Sequence, residues 1–202
     1  MNYDTGFWDN RFGGDAFVYG TEPNAFLAAQ AAHIPVGPVL CLAEGEGRNA
    51  VFLAGRGHAV TAVDQSKVGM AKARRLAAER ATAITAVVAD LGSFTIEQDA
   101  WSGIVAIFAH LPRALRRRVF SAAVAGLRPG GVFILEAYTP AQLAYDTGGP
   151  KDVSLLMTAD ALREDLAGLH FEILQEIERD VFEGGGHEGR SAVVQVLGVR
   201  RG

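Results

Sequence analysis

Two glycines and two aspartates stand at spacings that can hold a nucleoside. The run Val39-Leu40-Cys41-Leu42-Ala43 leads into Glu44-Gly45-Glu46-Gly47 and then Arg48-Asn49-Ala50. This Gly45-x-Gly47-x-x-Ala50 turn follows an apolar strand and opens a helix. Glycines there let the backbone approach a ligand, and the helix N-terminus carries partial positive charge. Asp64 closes the next apolar run, where a carboxylate can accept both hydroxyls of a ribose. Asp90 closes the third and can accept from an adenine exocyclic amine. Together they describe an adenosine-containing ligand at the carboxyl edge of a parallel sheet.

Two such ligands compete. A nicotinamide dinucleotide would set its pyrophosphate on the glycine turn, and an oxidoreductase would follow. Glu44 and Glu46 flank that turn and would repel it. S-adenosylmethionine has no phosphate; it carries a sulfonium and an ammonium, which tolerate or welcome acids. A third reading is a module that binds this cofactor without catalysis.

The elements that must position these residues alternate. Expected strands cover 39–43, 58–63, 84–89, 101–109 and 132–138, with helices over 49–56, 66–80 and 113–127 between them. Ser66 is placed to cap the second helix, and Pro129-Gly130-Gly131 stops the third. Near-continuous apolar strands joined by helices imply a parallel sheet covered on both faces. The tail differs. A helix capped by Thr158 runs to about 167, and extended segments 171–182 and 191–199 flank the glycine-rich stretch 183–189. With no helix between them they pair as an antiparallel hairpin. The expected fold is a Rossmann-like doubly wound α/β sheet of seven strands, mostly parallel, with an antiparallel C-terminal strand. Residues 1–34 carry one or two helical segments around Trp8 and Phe26.

Composition sets the frame. The 202 residues fit one domain over 1–202, with a helical lid segment at 1–35 and a core at 39–202. A hydrophobic share of 49% and a charged share of 21% are those of a globular chain. A net charge of −4 offers no general basic face for nucleic acid. The single cysteine, Cys41, permits no intrachain disulfide and no zinc pair, and it reads as buried packing. No metal site is expected. No run reaches the roughly 18 apolar residues of a membrane span, and the first ten residues lack a signal-peptide core. The expectation is a cytoplasmic monomer with no membrane or nucleic-acid partner.

The chain resembles class I S-adenosylmethionine-dependent methyltransferases, and within them the tellurite-resistance and thiopurine methyltransferase group. The residues that carry this are 39–54 for the cofactor turn, Val60-Thr61-Ala62-Val63-Asp64 with Ser66, Asp90-Leu91, and Leu127-Arg128-Pro129-Gly130-Gly131. Upstream, Phe7-Trp8-Asp9-Asn10-Arg11 and Tyr19-Gly20-Thr21-Glu22-Pro23-Asn24 are similar to the group's N-terminal lid. The resemblance implies S-adenosyl-L-methionine as cofactor and a small-molecule methyl acceptor, a thiol or tellurite-like oxyanion among them. It implies cofactor contacts from Glu44, Gly45, Glu46, Gly47 and Asn49 on the turn, Asp64, Gln65 and Ser66 after the second strand, and Asp90, Leu91 and Phe108 beyond. Trp8, Arg11 and Tyr19 would contribute from the lid, with Arg11 pairing with the methionine carboxylate. The chain departs from the family at Cys41, where the usual strand-one acid stands, and at Ala43, where a glycine is usual. Glu44 or Glu46 could replace the missing acid.

The acceptor belongs at the same sheet edge. His110, after Phe108-Ala109, is the best-placed general base for an oxygen or nitrogen acceptor. Tyr138, Tyr145, Lys151, His187 and Arg190 are further acceptor-side candidates. Arg113, Arg116, Arg117 and Arg118 read as a solvated helix face.

Overall fold

A computed structural model describes residues 4–145, 147–185 and 188–202. Seven strands form one sheet: β1 (Pro38–Leu42), β2 (Ala59–Asp64), β3 (Thr85–Val88), β4 (Trp101–Ile107), β5 (Leu127–Tyr138), β6 (Leu169–Phe182) and β7 (Glu188–Arg200). Their order is β3-β2-β1-β4-β5-β7-β6. Pairing is parallel from β3 through β5 and antiparallel on both sides of β7. This is the mixed sheet expected, with β7 the reversed strand.

The helices are α1 (Thr5–Arg11), α2 (Ala25–Gln30), α3 (Arg48–Gly55), α4 (Lys67–Glu79), α5 (Arg113–Gly126) and α6 (Ala159–Asp165). Side chains alternate across a strand, and β1 shows what that does. Leu40 and Leu42 enter one core with Phe120 of α5 and Leu162 of α6. Val39 and Cys41 enter the other with Leu27 of α2, Leu53 of α3 and Met70 of α4. Cys41 is fully buried packing there.

Element ends moved where backbone partners decided them. β5 starts at Leu127, not at residue 132, because Leu127 already pairs with Trp101. β4 stops at Ile107, not at residue 109, because Phe108 takes a left-handed φ of 52°. Ser66 and Thr158 cap α4 and α6 as their positions foretold, accepting from Gly69 N and Ala161 N. The basic run on α5 is not all solvated. Arg116 is 2% exposed, and its Nε donates to Asp165 of α6 at 2.7 Å. Among the described residues no helix is long and apolar enough to cross a membrane.

Candidate active site

Strands on opposite sides of β1 and β4 turn away in opposite directions, which opens a crevice at their carboxyl ends. A cavity of about 870 Å³ lies there. Its floor is built from the residues that leave each strand: Ala43 to Gly45 after β1, Asp64 and Gln65 after β2, Ala89 to Leu91 after β3, and Ile107 to Pro112 after β4. Trp8, Arg11 and Tyr19 cover it from the N-terminal side, and Lys151, Ser154 and Leu155 from the loop beyond β5.

The glycine turn is shaped for a close approach. Ala43, Gly45 and Gly47 all have positive φ, 51°, 64° and 92°. Ala43 therefore holds a left-handed conformation that costs a side-chain-bearing residue of order 1–3 kcal/mol and is typical of functional sites. Gly47 has a second duty: a Cβ there would lie 2.5 Å from that of Ala73, so α3 and α4 meet at this point.

Glu44 folds back onto the helix it precedes. Its Oε1 accepts from Asn49 N at 2.9 Å and Ala50 N at 2.8 Å, occupying the first amides of α3. Burial pushes its carboxyl up to about 7, against the pull of those amides and of Arg48. Burial, with the Glu44 carboxylate beside it, pushes the Cys41 thiol well up. Asp64 is 7% exposed and holds the turn in place, Oδ2 accepting from Gly45 N at 2.9 Å and Oδ1 from Ser66 N at 2.8 Å. Burial raises its carboxyl as well. Asp90 is exposed toward the cavity, and its Oδ1 accepts from Gly92 N at 2.6 Å. Carboxylates thus sit at the ends of three adjacent strands, β1, β2 and β3, facing one space.

Most of the residues singled out from the sequence meet at this cavity. Glu44, Gly45, Asn49, Asp64, Gln65, Asp90, Leu91 and Phe108 line it with Trp8, Arg11, Tyr19 and His110. Three others are used differently. Glu46 turns away: its Oε2 accepts from Val18 N at 2.8 Å and its Oε1 from Lys72 Nζ at 2.8 Å. Gly47 serves the α3–α4 contact. Ser66 caps α4 and donates to Asp9 Oδ1 at 2.6 Å, so it fastens α1. Of the acceptor-side candidates, Tyr138 and Lys151 line the cavity beside His110. Tyr145 and Arg190 instead gather at Glu178 of β6, and His187 lies outside the described residues. Burial holds Tyr138 protonated, with its phenol pushed far up.

His110 also departs from expectation. Its Nδ1 lies 3.0 Å from the Leu155 carbonyl, and Tyr138 N donates to its Nε2 at 3.4 Å. Burial holds the ring down to about 4. A neutral imidazole with both nitrogens engaged is a poor general base.

Sequence reasoning missed Arg48. It is 6% exposed, lines the cavity, and its Nη2 donates to Glu183 Oε2 at 2.6 Å. Glu183 lies 135 residues away, a pairing that no local pattern could announce. Among the described residues no group of three His, Cys, Asp or Glu could hold a metal ion.

Residues 39–131 match the family model for a methyltransferase domain. A 2-heptyl-1-hydroxyquinolin-4(1H)-one methyltransferase of Mycobacteroides abscessus is 32% identical over 121 residues, 58% of this chain and 53% of the relative. The chain thus spans about half the length of the curated relative it matches. Among solved structures, TehB from Haemophilus influenzae superposes with a TM-score of 0.72 at 19% identity, covering 98% of this chain and 67% of that one. A structure from work on converting a disulfide bond into a thioacetal group during echinomycin biosynthesis superposes with a TM-score of 0.76 at 22% identity, covering 98% and 91%. At such identities the likeness is one of fold.

Proposed function

We propose that this chain, which carries a methyltransferase domain at residues 39–131 on the class I S-adenosylmethionine-dependent methyltransferase fold, transfers a methyl group from S-adenosylmethionine to a small-molecule acceptor. The observation that carries the proposal is the placement of Glu44. Its carboxylate takes the Asn49 and Ala50 amides at the start of α3, the place where a dinucleotide would set its pyrophosphate. A carboxyl that already occupies these amides leaves a phosphate without its donors and, when ionised, suits a nucleoside with a cationic tail. Asp64 keeps lone pairs for a ribose after serving Gly45 and Ser66. Asp90 faces an adenine, and Gly45 lets the tail lie against the turn.

When bound, the cofactor supplies a methyl group already activated on its sulfonium. The chain's own work is then to align and to exclude water. Phe108 walls the side where cofactor and acceptor meet, and Leu91 stands beside Asp90 at the adenine. Trp8 and Tyr19 close it from above, and Arg11 is placed to meet a carboxylate.

The acceptor we infer is soft or anionic as it arrives: a thiol, a tellurite-like oxyanion, or an acidic hydroxyl of the kind in the hydroxyquinolinone that the Mycobacteroides relative's name specifies. An engaged, neutral His110 favours acceptors that need no base. The test is turnover of S-adenosylmethionine to S-adenosylhomocysteine with a panel of thiols, oxyanions, small phenols and N-hydroxy heteroaromatics. Acceptor-dependent release of S-adenosylhomocysteine supports the reading. No turnover with any acceptor, in a protein that still binds S-adenosylhomocysteine, would leave a binding module.

A further inference from the structure

The imidazole of His110 stands where the β4–β5 ladder lacks its next rung. The two strands pair in parallel as far as Ile107 and Glu136. Phe108 N donates to the Glu136 carbonyl at 2.7 Å, and the left-handed φ of Phe108 then turns the chain away. Tyr138 N is left facing His110 and donates to Nε2 at 3.4 Å. Across the ring, Nδ1 meets the Leu155 carbonyl at 3.0 Å. These partners choose the tautomer. A nitrogen that accepts from an N–H carries no hydrogen, so the hydrogen is on Nδ1 and is donated to Leu155. Met157 N closes the circuit by donating to the Tyr138 carbonyl at 3.0 Å.

The rings reinforce this. His110 stacks on Tyr138 at 5.7 Å and 11°, and Phe108 stacks on Tyr138 at 4.7 Å and 27°. Gly149 crosses so near the Tyr138 ring that a Cβ would come within 2.6 Å of it. Everything fastened here belongs to residues 148–157, which carry Lys151, Ser154 and Leu155 on the cavity wall.

We propose that His110 is a positioning residue, a strut that replaces the missing rung and fixes residues 148–157 over Tyr138, so that the acceptor wall exists before an acceptor enters. It rests on the methyl-transfer reading only for what that wall receives. Burial keeps the ring neutral, and Arg116 of α5 adds to this, against the pull of the Leu155 carbonyl.

Nitrogen NMR of histidine-labelled protein should find His110 in the Nδ1–H form, unchanged from pH 8 to about 5. Hydrogen exchange gives the second reading. His110→Ala should speed exchange in residues 151–157 about tenfold or more while residues 39–42 stay as they are. His110→Gln should restore most of the protection, because its amide can donate to Leu155 and accept from Tyr138 N. Should the alanine variant fail to fold, the wild-type spectrum and the glutamine variant still decide. An imidazole that titrates between pH 6 and 8, or loop exchange unaltered in His110→Ala, would overturn the strut. Failure of the wild type to bind S-adenosylhomocysteine in calorimetry would defeat the methyl-transfer reading instead, and the NMR and exchange results would stand apart from it.

Discussion

Residues 5–12 and residues 16–24 precede the same strand and approach the same cavity, yet they are held by opposite means. No residue of α1 is buried. It is fastened at its rim, where Asp9 Oδ1 accepts from Ser66 Oγ at 2.6 Å and Val68 N at 3.3 Å. Phe12 at its end is the anchor, 2% exposed and set against the glycine turn, where a Cβ on Gly45 would come within 3.2 Å of its ring. The second stretch is locked in buried charge. Lys72 Nζ donates to the Ala16 carbonyl at 2.7 Å and to Glu46. Asn24, fully buried, donates through Nδ2 to Glu136 at 2.8 Å and to Glu183 at 2.9 Å. Arg179 bridges the same two glutamates, and Arg48 completes a balanced set of two acids and two guanidinium groups. Gly184 lets the β6–β7 turn cross Gly20, since a Cβ would come within 2.5 Å of Gly20 N. The difference teaches which part of the cover can open: α1 can leave by breaking part-buried bonds at its rim, whereas residues 16–24 cannot leave without stranding buried ions.

The harshest way to break this comparison is at Glu183. Glu183→Ala leaves Arg48 and Arg179 short of a buried partner, a loss of about 3–5 kcal/mol. At roughly 2–4 °C per kcal/mol for this size, the melting midpoint should fall by about 6–20 °C. Calorimetry checks it, and a fall of under 2 °C would deny the lock. Acid should act on the same point. Burial works to raise the Glu183 carboxyl, but Arg48 and Arg179 outweigh it and hold it below its ordinary value. Its contribution is therefore present above the ordinary carboxylate range and lost as pH falls through the lowered folded value.

Next in size is Asp64, which separates losing the site from losing its cover. Asp64→Ala should weaken S-adenosylhomocysteine at least about tenfold, through the ribose bonds and the freed Gly45 and Ser66 amides. Unchanged affinity in titration calorimetry would make Asp64 a purely structural strand-end acid.

Glu44 gives a smaller and pH-dependent effect. Its carboxyl is raised to about 7 by burial, and Arg48, Asp64 and Cys41 face it. A raised acid binds more protons when folded, so its share of stability falls as pH rises from about 4.5 to 7. A cationic ligand favours the ionised form. Affinity for S-adenosylmethionine, which carries the sulfonium, should therefore climb by up to about tenfold from pH 6 to 8, and Glu44→Gln should flatten the climb.

The smallest change in stability comes from Asp9→Ala. Melting should move by no more than about 2 °C, while hydrogen exchange in residues 5–12 quickens and that in residues 16–24 does not. Adding S-adenosylhomocysteine to the wild type should slow residues 5–12. Equal response of both stretches would erase the distinction between them.

The doubly wound sheet was legible because buried parallel strands announce themselves as apolar runs, and Gly45, Asp64 and Asp90 follow those runs at once. The cap residues Ser66 and Thr158 were legible from local hydrogen-bond logic. Glu46 was misjudged because spacing reports nearness to the turn and not direction; its side chain leaves the turn for Lys72. Arg116 was misjudged because a basic run looks alike whether or not Asp165 packs on it. Asn24, Glu136 and Glu183 lie 112 and 159 residues apart in sequence, and only the folded sheet brings them into one cluster. His110 was legible as a cavity residue, but its two backbone partners depend on how Phe108 turns.

Titration calorimetry of the wild-type protein with S-adenosylhomocysteine and, separately, with NADH tests the central claim most directly. The account predicts saturable binding of the adenosyl ligand, weakened at least about tenfold by Asp64→Ala, and no binding heat from NADH. Saturable binding of NADH with none of S-adenosylhomocysteine would contradict it.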